Sequence, residues 1–269
     1  MTFDIIGDLT FGRSFGCLEK GELHPWVALL PGAARNMTLL LALKHAPKLL
    51  FRVTVAIILP FMGARREHAE FTNDKIKIRL SDPRDRSDFI TPILKANDEK
   101  GMSVPELESS INLLVTAGSE TLATFFSGAI YHLAQNPRVL EKLRKELDAS
   151  FPNSNDITMT STQKLTYLNA VIEETLRIYP PAALSLGRIV PLGGAMICGR
   201  HVPAGTGVGV TSWAATHSAT NFKLPEEFAP ERWIDKQRFR DDDRASSQPF
   251  STGARNCVGK KYLLSPEAH

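Results

Sequence analysis

The sequence predicts a mainly α fold with a small β region. Long apolar segments with helical spacing, broken by prolines, run from the start to Pro180-Pro181. Beyond them the chain turns to short β-branched runs and frequent glycine, the pattern of short strands and turns. The 269 residues are 43% hydrophobic and 23% charged, which supports a packed core and excludes a disordered chain. One mixed domain over 1–269 is expected, helical over 1–180 and β-rich with a cysteine loop over 181–269.

Within 1–80, Pro25, Pro31, Pro47 and Pro60 punctuate apolar stretches. The region 26–62 admits two readings, buried core helices or a face against a membrane surface. Residues 64–80 carry charges with apolar residues at helical intervals and read as a surface helix. Ser103 and Glu106 fit a capping box, and Pro105 falls in the first turn of the helix that follows. That helix runs to Asn136-Pro137. Its centre is apolar on nearly every side, so it is expected to be buried, with Glu120 as its one ionisable group. Pro137 opens an amphipathic helix in which Glu141 precedes Lys145 by four residues. A further helix spans 162–179, with Leu165, Leu168, Ile172, Leu176 and Tyr179 marking one face, and Pro180-Pro181 ends it.

Composition narrows function mainly by exclusion. Lys and Arg number 32 against 29 Asp and Glu, a balance of +3, and no basic tract is interleaved with aromatics. Nothing therefore argues for a nucleic-acid partner. Three cysteines, Cys17, Cys198 and Cys257, show no metal-type spacing and make no disulfide framework. The N-terminus has no signal-peptide pattern. A membrane span needs about 18 apolar residues in a row, and none is expected here.

Four motifs carry chemistry. Phe250-Ser-Thr-Gly253-Ala-Arg255-Asn-Cys257-Val-Gly259 has the form F-x-x-G-x-R-x-C-x-G. Glu174-Thr-Leu-Arg177 sets a carboxylate and a guanidinium on one helix face. Pro230-Glu-Arg232-Trp233 follows further on, and Ala117-Gly118-Ser119-Glu120-Thr121 lies within the long helix. In this combination the sequence resembles the cytochrome P450 family of haem-thiolate monooxygenases. It looks like a fungal microsomal member lacking the family's N-terminal half and C-terminal end, and the fold implied is the C-terminal part of the cytochrome P450 fold.

The resemblance implies the following roles. Cys257 is the axial ligand of haem b, a soft thiolate that pushes electron density onto the iron. Phe250, Gly253 and Gly259 shape the ligand loop, and Arg255 and Arg188 hold the haem propionates. Glu120 and Thr121 form a carboxylate–hydroxyl pair for proton delivery. Ala117 and Gly118 keep space open beside them. Glu174, Arg177 and Arg232 make a buried structural network. Leu113, Thr116, Ala117, Ala182, Ala183 and Leu184 line a pocket for a small apolar substrate. One oxygen atom of O2 would enter that substrate, with electrons from NADPH through a separate reductase. The family's place is the cytosolic face of the endoplasmic reticulum membrane, held by an N-terminal anchor that these residues do not carry. An alternative is a non-catalytic truncated remnant, or an incomplete gene model, of such an enzyme.

Overall fold

The computed structural model describes residues 2–22, 24, 47–58, 74–79, 81, 89–95, 101–184 and 187–260. Much of the regions 26–62 and 64–80 lies outside them. The chain divides into two compact units, residues 1–120 and 121–269.

In the first unit, α1 (Thr2–Phe11) and α2 (Cys17–Lys20) are tied by one side chain. Asp4 accepts hydrogen bonds from the Cys17 and Leu18 amides and from the Ser14 hydroxyl, each at 2.9 Å. Two further helices are α3 (Lys48–Ile58) and α4 (Ile90–Lys95). The core consists of Ile6, Phe11, Phe15, Ile76, Ile90, Leu107, Ile111 and Val115. Residues 74–79 are helical, and Ile76 and Arg79 are buried. The expected surface helix therefore contributes to the core here. Arg79 is accommodated because its guanidinium donates to the Thr91 hydroxyl at 2.8 Å.

The long helix α5 (Val104–Gln135) starts where the capping residues stand. The Ser103 amide and hydroxyl both donate to the Glu106 carboxylate, at 2.8 and 2.7 Å. By length and hydropathy alone α5 could cross a membrane. Its spacing instead puts Leu107, Ile111 and Val115 into the first core. The expectation of burial on every side fails: Leu113 and Ile130 are each 68% exposed. The physical reason is that a helix buries only the faces its neighbours cover, and no described element covers these.

In the second unit, Pro137 sits at the first position of α6 (Pro137–Ser150). Glu141 and Lys145 pair at 2.7 Å, and Val139 and Leu143 turn inward against Val171, Ile178 and Phe228. The short α7 (Met159–Thr162) carries a capping box between Thr158 and Ser161. Next comes α8 (Thr166–Ile178), followed by Tyr179 and Pro180. The residue before it, Leu165, has no side-chain acceptor. The cap arrives from α6, where the Glu146 carboxylate takes the Tyr167 and Leu168 amides at 2.8 Å each. A negative group on free amides at a helix N-terminus is favourable twice over, by hydrogen bonding and by the helix dipole.

The inward face of α8 differs from the apolar stripe read in the sequence. Ala170, Val171, Glu174, Thr175, Leu176, Arg177 and Ile178 are buried, whereas Tyr179 is exposed. A charged pair has taken core positions because its partners come from the chain beyond residue 215. Directly after α8 the chain makes two antiparallel ribbons. β1 (Arg188–Ile189) pairs with β4 (Gly207–Val208), and β2 (Ala195–Ile197) pairs with β3 (Arg200–Val202). Two short helices, α9 (Ser212–Thr216) and α10 (Glu231–Ile234), follow.

Candidate functional site

The ligand loop is built by local backbone geometry. Ser251 and Gly253 both adopt left-handed conformations, φ 58° and 76°, and a 3-10 turn covers Gly253–Arg255. Glycine suits that conformation because it has no Cβ to clash. The turn closes when the Cys257 amide donates to the Phe250 carbonyl at 2.8 Å. Cys257 is exposed, and its sulfur has Gly259 beside it. A Cβ at Gly259 would stand 3.6 Å from the sulfur, in contact with it, so glycine leaves that side of the thiol open.

Arg188 and Arg255 are both exposed. Arg188 lies on a cleft of about 610 Å3 together with Val208, Val210, Ser251 and Thr252. A second cleft, about 400 Å3, shares Val210, Ser251 and Thr252 and adds Ala182 and Ser212. The structure thus brings Arg188 and Ala182 to the entry of the cysteine loop. Ala183 is held through its carbonyl, which accepts the Trp213 amide at 3.1 Å, and Leu184 is 68% exposed.

The residues predicted on α5 divide by helix face. Leu113, Ala117 and Thr121 follow one another at intervals of four on an exposed stripe. Thr116 and Glu120 are half-buried, and Ser119 is buried. Gly118 does not serve the open face, as its motif suggested. A Cβ there would lie 2.8 Å from Ile6 Cδ1, so this glycine lets α5 approach α1. Leu113, Thr116, Ala117 and Glu120 belong to the first unit, and Thr121, Ala182, Ala183 and Leu184 to the second.

Glu174, Arg177 and Arg232 are each 0% exposed and form a densely connected polar cluster among the described residues of the second unit. Arg177 grips Glu174 with two parallel bonds, Nε to Oε2 at 2.9 Å and Nη2 to Oε1 at 2.8 Å. Its remaining donors reach the carbonyls of Thr216, Pro225 and Glu227 at 2.8–3.1 Å. Glu174 also accepts the Ala229 amide and the Trp233 indole N–H, both at 3.0 Å, and Arg232 Nε approaches at 3.4 Å. Arg232 donates to the carbonyls of Lys223 and Leu224 and to the Asp242 carboxylate. The rings of Phe222 and Phe239 lie 5.6 and 4.6 Å from its guanidinium carbon. Buried ions persist only when their hydrogen-bonding capacity is used, and here nearly every donor is paired. Sequence reasoning missed Asp242, which stands in an irregular, charged stretch, and gave Trp233 no part in the network although its motif was marked.

Burial raises the Glu173 carboxyl above its ordinary range, with Lys260 opposing. Burial lowers His132, whose ring stacks on Phe228 at 5.1 Å. Glu173 thus connects α8 electrostatically with the residue just after Gly259.

Comparison with known proteins decides the family. A sequence model described as Cytochrome P450 matches residues 1–262. The chain belongs to the cytochrome P450 family. It is 42% identical to the cytochrome P450 monooxygenase aclL of Aspergillus oryzae, over 96% of this chain and 53% of that protein. It is 43% identical to an averantin hydroxylase of Dothistroma septosporum, over 97% of this chain and 50% of that one. This P450 chain spans about half the length of the curated relatives it matches. Its fold matches a crystal structure of the cytochrome P450DA heme domain with a TM-score of 0.78 at 22% identity, covering 98% of this chain and 56% of that one.

The residues present fit a haem. A soft thiol is exposed on a loop whose glycine leaves the sulfur accessible, and two exposed arginines suit carboxylates, one of them on the cleft at the loop entry.

Proposed function

We propose that this P450 chain belongs to a haem-thiolate monooxygenase that inserts one oxygen atom from O2 into a small apolar organic molecule. The observation that carries the reading is the exposed Cys257 thiol on the closed Phe250–Cys257 turn, beside the cleft that holds Arg188. Haem b, when bound, supplies the redox chemistry that activates dioxygen. Cys257 would hold the haem iron through its thiolate, and Arg255 and Arg188 would hold the propionates. Thr121 and Glu120 hold and pass protons from their hydroxyl and carboxylate on α5. Leu113, Thr116, Ala117, Ala182, Ala183 and Leu184 present the small or apolar surface that an apolar substrate requires. Relatives named as hydroxylases support C–H hydroxylation as the reaction class. Electrons come from NADPH through a separate reductase at the cytosolic face of the endoplasmic reticulum, as the family implies.

The test is reconstitution with haem followed by a carbon monoxide difference spectrum of the reduced protein. The chain should show the long-wavelength Soret band of thiolate ligation, and Cys257→Ser should abolish it. A short-wavelength band only, or a band that survives Cys257→Ser, would overturn the assignment.

A further inference from the structure

The charged core has one member that neither the sequence motifs nor the proposed chemistry uses. Asp242 stands in the acidic-basic run Arg240-Asp-Asp-Asp-Arg244, yet its side chain is 0% exposed. One carboxylate oxygen takes Arg232 Nη1 and the other accepts the Lys223 amide at 2.7 Å. Glu174, Arg177 and Arg232 alone would leave one net positive charge in a region closed to water. Such a charge is strongly unfavourable, and Asp242 cancels it. The next two residues repeat the attachment. The Asp243 amide donates to the Asn221 carbonyl at 2.7 Å, and Arg244 Nη2 donates to the Arg232 carbonyl at 2.6 Å. Three consecutive residues thus fasten the strand of chain that leads to Phe250, whose carbonyl closes the Cys257 turn.

We propose that Asp242 is the fourth charged member of this network and a positioning residue for Cys257. By neutralising Arg232 it fixes the segment that delivers the chain into the thiol loop. This rests on the haem-thiolate reading for its spectroscopic consequence, while the charge balance stands on the geometry alone.

Asparagine is nearly isosteric with aspartate and keeps an oxygen for the Lys223 amide, so Asp242→Asn removes the charge and the one acceptor that faces Arg232 Nη1. Arg232→Gln removes one cation. Each single variant leaves one unbalanced charge in the core, and the pair leaves Glu174 and Arg177 balanced. The full chain, loaded with haem, is compared as wild type, both singles and the double. Two quantities are read: the share of the reduced carbon monoxide complex in the thiolate-type Soret band, and the thermal midpoint by circular dichroism.

Asp242→Asn should lose more than half of the thiolate-type band to the short-wavelength form. The double variant should regain at least half of that loss and melt above either single. A wild-type band in Asp242→Asn, or additive losses in the double, would overturn the proposal. Should Asp242→Asn not fold, a folded double variant supports the charge balance and an unfolded one refutes it. A wild type without any thiolate band defeats the haem-thiolate reading instead, and the thermal comparison then judges Asp242 by itself.

Discussion

Replacing Arg177 with methionine tests the buried network at its most connected point. Methionine approximates the length of the arginine stem and keeps the core apolar, so the loss is chiefly electrostatic. Two bonds to Glu174 vanish, and the carboxylate keeps only the Ala229 amide, the Trp233 indole and the longer approach of Arg232. The carbonyls of Thr216, Pro225 and Glu227 lose their donor at the same time. Removing one partner of a buried ion pair costs about 3–5 kcal/mol, and the stranded carbonyls push this substitution toward the upper end. Domain stability is about 5–15 kcal/mol, so the variant approaches the edge of folding. At about 2–4 °C per kcal/mol for a chain of this size, the melting midpoint should fall by roughly 10–20 °C. Arg177→Lys keeps the charge but loses the planar fork, and should fall between the two. Circular dichroism during a thermal ramp makes the measurement. A shift of less than about 2 °C for Arg177→Met would show that the network contributes no net stability and would refute the reasoning.

Glu146→Ala removes the carboxylate that caps α8 and should lower stability by about 1 kcal/mol in urea titration; an unchanged midpoint would mean the two bonds are idle. At Gly128 a Cβ would collide with the Tyr179 ring, so Gly128→Ala should cost about 1–3 kcal/mol, and Tyr179→Ala in the same chain should recover part of it. No interaction between those two sites in a double-mutant cycle would contradict the close approach. Burial works against ionisation of Asp4, but bonds from the Cys17 amide, the Ser14 hydroxyl and the Leu18 amide outweigh it and hold the pKa at about 2, below the ordinary 3.8. The stabilisation from Asp4 is therefore complete above pH 3.8 and lost as pH falls toward 2. Asp4→Asn should lack this part of the acid transition, and a proton titration of Asp4 with a midpoint near its ordinary value would disprove the effect.

The legible parts of this chain are those whose physics is local. The Ser103–Glu106 cap, the proline that opens α6 and the Glu141–Lys145 pair each need only a few residues of context, and each stands where the sequence places it. The cysteine loop is legible for the same reason, since its turn, glycines and thiol fall within ten positions. The inward face of α8 was not legible from periodicity, and only the family resemblance marked Glu174 and Arg177 as buried. Counting apolar residues sets Glu174 and Arg177 aside, because nothing nearby announces the Ala229 amide, the Trp233 indole or the carbonyls of Thr216 and Pro225. Asp242 was hidden among three successive aspartates, and only the folded chain distinguishes the one that meets Arg232. The long helix misled in the opposite direction. Its apolar centre reads as buried all round, while Leu113 and Ile130 lie open, because composition records what a surface can bury and not what stands against it.

Five of the oxygens held by Arg177 and Arg232 belong to the main chain, at Thr216, Lys223, Leu224, Pro225 and Glu227. Main-chain carbonyls are the same whatever side chain is attached to them. The two guanidiniums are therefore blind to the side chains at these five positions, though not to the Phe222 ring between them. Mutation can rewrite the outward decoration of those positions, altering what this flank of the molecule displays, without disturbing the grip beneath.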